Sequence, residues 1–104
     1  MSSRFYSDEH YQAFYSRLTQ QHIHVLMVIT ENSYIAKKDI IEKLSSEYSK
    51  NPIVAAIDAL LFAGLISYRY SRKQHQYYLS ADGVAFSEYA NNQLQEESQN
   101  GTLE

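Results

Sequence analysis

The chain contains no cysteine. Disulfides and thiolate metal sites are therefore excluded, and the redox compartment is left open. Glycine is scarce, with three residues in 104, and none belongs to a glycine-rich loop that could cradle a phosphate. No apolar run approaches the roughly 18 residues of a membrane span. The opening stretch MSSRFYSDEHYQ lacks the apolar centre of a signal peptide, so a cytoplasmic protein without membrane attachment is expected. Positive charge is also short. The net charge is −3, which argues against a uniformly basic nucleic-acid binder.

The residues that remain do not assemble an active site. Of the four histidines (His10, His22, His24, His75), His22 and His24 stand two apart on a helix and point to different faces. No cysteine and no close carboxylate pair completes a metal set around them. No Ser-His-Asp order and no paired-carboxylate cleft is suggested. The expectation is a protein that is not an enzyme and carries neither metal nor cofactor.

What is present reads as one globular domain spanning 1–104. Hydrophobic residues make up 44% and charged ones 20%, outside the disordered range. A core of this size is modest, which makes oligomerisation plausible. The charge is unevenly spread. Residues 33–79 hold seven basic side chains (Lys37, Lys38, Lys43, Lys50, Arg69, Arg72, Lys73) against four acidic ones, a balance of +3, whereas the two flanks hold two against eight, a balance of −6. Such asymmetry points to one basic face.

Periodicity places the elements. Ser7 caps a helix over about 8–18, with Tyr11, Phe14, Tyr15 and Leu18 at helical spacing. Thr19 caps a second over about 20–31, central and buried, with Ile23, Leu26, Met27 and Thr30 on one face. Tyr34-Ile35 forms a very short strand. Lys37–Leu44 is a short helix with Ile40, Ile41 and Leu44 inward. Asn51 as N-cap and Pro52 at the first position open a helix over 52–63, which Gly64 ends. Ile66, Tyr68 and Tyr70 alternate with Ser67, Arg69 and Ser71 in a strand, Arg72 to Gln74 form a tip, and Gln76–Leu79 return. A last helix covers about 83–95, with Phe86, Tyr89, Ala90, Gln93 and Leu94 on one face, and 96–104 is a polar tail that frays.

Three segments in this order resemble the winged helix–turn–helix domains of bacterial MarR-like and PadR-like regulators. KKDIIEKL (Lys37–Leu44) looks like the first helix of the helix–turn–helix. IDALLFAGLI (Ile57–Ile66) looks like the end of the recognition helix turning into the wing. YYLSADG (Tyr77–Gly83) resembles the junction of wing and last helix. The resemblance covers about residues 20–95, with the winged-helix core at 20–80. It implies a mainly α fold with a small β-hairpin wing and extra N- and C-terminal helices. It also implies a transcriptional regulator, or a plasmid or phage control protein, acting on duplex DNA. The recognition helix would enter the major groove and present Asn51, Val54, Ala55, Asp58 and Ala59. These are mostly small and apolar where the family carries hydroxyls, amides or arginines. Backbone contacts would come from Lys37, Lys38, Ser49, Lys50, Arg69, Arg72, Lys73 and His75. The alternative is a winged-helix protein-interaction module that does not bind DNA.

Leu61 and Phe62 stand where the family shows exposed charge, so something should cover them: the first helix, the last helix or a second subunit. A homodimer built from residues 8–18 and 84–95 is expected, through Tyr11, Phe14, Tyr15, Leu18, Phe86, Tyr89 and Leu94. A monomer whose outer helices fold back over its own core is the alternative. No small-molecule effector is identified.

Overall fold

The chain runs α1 (Asp8–Arg17), α2 (Gln20–Glu31), β1 (Ile35–Ala36), α3 (Lys37–Lys43), α4 (Lys50–Phe62), β2 (Ile66–Ser71), β3 (Gln74–Leu79) and α5 (Ala81–Thr102). The computed structural model describes the backbone of residues 6–102 and the side chains of residues 6–93. Among the described residues no helix is long and apolar enough to cross a membrane.

The core is organised by α2 packed on α4. Val25, Leu26 and Ile29 of α2 meet Ile53, Ala56, Ile57 and Leu60 of α4, all buried. Spacings of three and four place each set on one helical stripe. Ile40 of α3 and Phe86 of α5 fill in around them, each with 0% exposure. The stripe expected on α2 differs from the one observed. Met27 is 51% exposed, Thr30 is exposed and Ile23 is half-buried. Val25–Ile29 is apolar on every side, so its sequence does not encode which side faces in. Together with Phe86 and Ala90 of α5, Ile23, Leu26, Met27 and Thr30 line an open groove instead.

Both α1 and α2 begin with a device the sequence reading missed. Their N-caps are Ser7 and Thr19, and histidine stands three residues later in each. The Ser7 N–H donates to His10 Nδ1 at 3.2 Å, and the Thr19 N–H donates to His22 Nδ1 at 3.2 Å. The two hydroxyls lie 2.9 and 2.7 Å from the same nitrogens. A backbone N–H can only donate, so each Nδ1 is the acceptor of that bond. The histidines take the place that glutamate or glutamine holds in a capping box.

Three boundaries shift from those expected. Ser49, not Asn51, is the N-cap of α4, and Pro52 lies third in the helix. Its missing N–H still costs nothing there, because the first four amides of a helix lack partners in any case. The strand β1 is Ile35–Ala36, and Tyr34 turns the chain with φ 69°. Finally, α5 starts at Ala81 and continues helical to Thr102, beyond the expected end at 95.

The end of α4 and the start of α5 meet at the base of the hairpin. Gly64, with φ +79°, follows the C-cap Ala63. Its N–H bonds to Leu61 O at 3.0 Å and the Leu65 N–H bonds to Leu60 O at 3.1 Å, the two bonds of a Schellman motif. The Ser80 hydroxyl donates to Gly64 O (2.6 Å) and accepts from the Gly83 N–H (3.0 Å). Gly83 packs so closely that a Cβ there would sit 1.8 Å from Leu65 O. Asp82 is buried, and its carboxylate accepts from the Tyr6 N–H and the Tyr11 hydroxyl, both at 2.9 Å.

The outer helices therefore close over their own chain. Tyr11 and Phe86 are 1% and 0% exposed and stack edge-on at 6.1 Å. The expectation that these two form a subunit interface is corrected: they are core, and offer a partner no surface. Phe14, Tyr15, Leu18 and Tyr89 are half-buried on the same seam. The side chain of Leu94 lies outside the described residues.

The histidine cap of α2 makes stability pH-dependent. Burial holds His22 below its ordinary pKa. The unfolded chain takes up a proton on this residue before the folded one does, so stability is full near pH 7 and falls as the pH drops toward about 5. In urea titrations, His22→Gln keeps a capping acceptor and should show a shallower loss between those pH values than the wild type.

Candidate nucleic-acid interface

The hairpin is a two-sided ribbon, and its register decides what each side carries. Ile66 pairs with Leu79, Tyr68 with Tyr77 and Tyr70 with His75, while Arg69 pairs with Gln76 and Ser71 with Gln74. Directly opposed residues share a face. One face therefore runs from the core outward through Ile66, Tyr77, Tyr68, His75 and Tyr70. Tyr77 is buried, and burial, then the charge of Asp58, then Tyr68 raise its pKa. The His75 ring lies 4.5 Å from Tyr68 and 5.6 Å from Tyr70. At the far end Tyr70 is 67% exposed.

Arg69 sits on the other face. Its Nε donates to Gln76 Oε1 at 2.9 Å, and its guanidinium lies 3.8 Å from the centre of the Tyr34 ring. Arg69 is thus turned toward Gln76 and Tyr34 and does not line the depression that holds Lys37, Lys38 and Lys50.

The remaining candidates converge better. Lys37 and Lys38 at the start of α3, Lys50 at the start of α4, and Gln74 and His75 at the outer end of β3 line one shallow depression of about 350 Å³. Its floor includes Ala36 and Ile41. Gln74 is a member the sequence reading placed only in the tip. The acids of α3 and of the turn after it lie elsewhere: Asp39 and Glu42 line a separate depression with Asn32 and Ser33, and Glu47 lies 3.4 Å from His24 Nδ1. The start of α4 has no acidic residue in its first turn, so its free amides and dipole favour an anion.

Beyond that start, α4 exposes Asn51, Ala55, Asp58 and Ala59, with Val54 half-buried beside them. Phe62 continues the stripe at 95% exposure. Of the covers expected for the Leu61–Phe62 pair, neither outer helix covers Phe62 among the described residues. Leu61 is half-buried against the core.

The tip is narrower than expected. It consists of Arg72 and Lys73 alone, with φ 54° and 64°, the two left-handed residues of a type I′ turn. Asn-Gly is the favoured pair there, and two long L side chains are strained.

The arrangement of a helix, a turn and a second helix against a three-stranded sheet ordered β1-β3-β2 decides the architecture. The chain is a winged helix–turn–helix. No protein-family model and no curated protein matches it. Solved structures do. The type III plasmid segregation protein TubR aligns at TM-score 0.64 and 21% identity, over 85% of this chain and 90% of that one. SSV1 F-93 aligns at 0.63 and 22%, over 80% and 94%. The homodimeric winged helix-turn-helix DNA-binding domain of Mb0332 from Mycobacterium bovis aligns at 0.63 and 15%, over 93% of each. At these identities the likeness is one of fold. Within it, α4 takes the position of the second helix of the helix–turn–helix and β2–β3 that of the wing hairpin.

The strained wing tip gives a direct test. Replacing Arg72-Lys73 by Asn-Gly should raise stability by about 1 kcal/mol, because the new pair adopts positive φ readily. Replacing both by alanine should leave stability within about 0.5 kcal/mol. Urea unfolding of the two variants checks both.

Proposed function

We propose that the chain is a DNA-binding transcriptional regulator, or a plasmid or phage control protein, that grips duplex DNA as a homodimer. The observation that carries this reading is the meeting of Lys37, Lys38, Lys50 and His75, drawn from three elements, on one depression beside the exposed face of α4. In a chain of net charge −3, that concentration matches a phosphate backbone on one side only. The recognition helix enters the major groove from its N-terminal end, with Asn51, Val54 and Ala55 foremost. Ser49 and Lys50 flank it, and Arg72 and Lys73 place the wing tip on the neighbouring backbone. Mb0332, described as a homodimeric DNA-binding domain, supports the reading by its fold.

The salt dependence of binding tests it. Affinity for duplex DNA should fall steeply between low and moderate salt, with a log–log slope of about −0.9 per phosphate contacted. Arg72→Ala with Lys73→Ala should flatten that slope by about 2 per protomer. No binding at low salt, or a double variant indistinguishable from wild type, would shift the assignment to a protein-interaction module. Phe62 favours that second reading: a phenylalanine 95% exposed on an otherwise small-residue face is a ready anchor for a protein partner.

For the homodimer, the half-buried seam of Phe14, Tyr15, Leu18 and Tyr89 is the contact proposed. Tyr15 and Tyr89 stack edge-on at 6.2 Å across it. Light scattering at tens of micromolar should give twice the 12.1 kDa of one chain. Tyr15→Glu with Tyr89→Glu should halve that mass while the circular dichroism spectrum stays helical. A single-chain mass for the wild type would remove the dimer.

A further inference from the structure

We infer that α4 reads thymine methyl groups, and that the duplex it selects is rich in A·T and poor in guanine where the helix lies. This rests on the DNA-binding reading above and adds the base chemistry. The argument starts from an inventory of the helix face. Between Asn51 and Phe62 the exposed and half-exposed positions are Asn51, Pro52, Val54, Ala55, Asp58, Ala59, Leu61 and Phe62. Asn51 carries the one side-chain donor among them, and no lysine, arginine, glutamine, serine or threonine follows it on the helix.

Beyond Asn51 the face has no donor, and such a face cannot satisfy guanine. Guanine turns two acceptors, N7 and O6, into the major groove, and burying them against alanine or valine leaves both unpaired. Asp58 adds no donor for guanine, since its carboxylate can only accept, as from an adenine N6–H or a cytosine N4–H. Thymine is the base whose groove edge carries an apolar group, and contact between its methyl and alanine or valine removes apolar surface from water. Asn51, at the leading end, suits adenine, whose N7 accepts from the amide N–H while its N6–H donates to the amide oxygen.

Length and charge fit as well. From Asn51 to Ala59 the helix advances about 12 Å, the span of about three to four base steps at 3.4 Å each. The lysines that hold the backbone stand at the two helix starts, Lys37, Lys38 and Lys50. Affinity can come from them while Val54, Ala55 and Ala59 supply the discrimination.

Selection from a randomised duplex pool, followed by titration of the best site made with thymidine or with deoxyuridine, tests this. Deoxyuridine removes the methyl and keeps the pairing. The expected result is an A·T-rich site from which guanine is missing under α4. Each contacted methyl replaced should weaken binding about fourfold, and methyls elsewhere should have no effect. Equal affinity for the thymidine and deoxyuridine sites, or a selected site with guanine under α4, overturns the inference and leaves the DNA-binding reading in place. Failure to bind any duplex at low salt removes both.

Discussion

One face of α4 is committed to the core, and the rest of the functional surface follows from that commitment. Ile53, Ala56, Ile57 and Leu60 are each 0% or 1% exposed, packed on α2. Because a helix turns 100° per residue, burying that stripe forces Asn51, Ala55, Asp58, Ala59 and Phe62 outward. Any core substitution that rotated α4 would turn its exposed face with it. The surface proposed to meet DNA is thus defined by apolar packing as much as by its own side chains.

The cations around that surface depend on a different geometry. Lys37, Lys38 and Lys50 sit at helix starts, so their backbones are fixed by the turn between α3 and α4. Tyr48 helps to hold that turn: its hydroxyl lies 2.8 Å from His24 Nδ1 on α2. His75 and Gln74 arrive from the wing, whose register is set by the two-residue tip. A tip of three residues would slip the pairing by one and exchange the two faces of β3. The strained Arg72-Lys73 turn therefore does two things at once. It carries charge to the extremity and keeps His75 on the side of the lysines, at some expense in stability.

Much of this was legible in the residues, and the failures have physical causes. Helix starts at Ser7 and Thr19 and the stop at Gly64 were readable, since capping chemistry is local. The winged-helix order was readable from three packing motifs in sequence. The phase of α2 was not, because Val25–Ile29 is apolar on all sides. The contact of Arg69 with Tyr34 is not legible, because it joins residues far apart in the chain. The two-residue hairpin tip is not legible either, because Arg-Lys carries none of the usual signs of a type I′ turn. Tyr11 and Phe86 were assigned to an interface because apolar helices at chain ends look alike whether a partner or the chain itself covers them. Nothing local could have announced Gly83, whose role comes from a backbone carbonyl 18 residues away.

That carbonyl has a consequence for motion. With Gly83 against Leu65 O and the Ser80 hydroxyl bridging to Gly64, the foot of the wing and the first turn of α5 form one solid joint, without slack for either to pivot alone. A displacement of the first turn of α5 is therefore passed directly to the base of the wing.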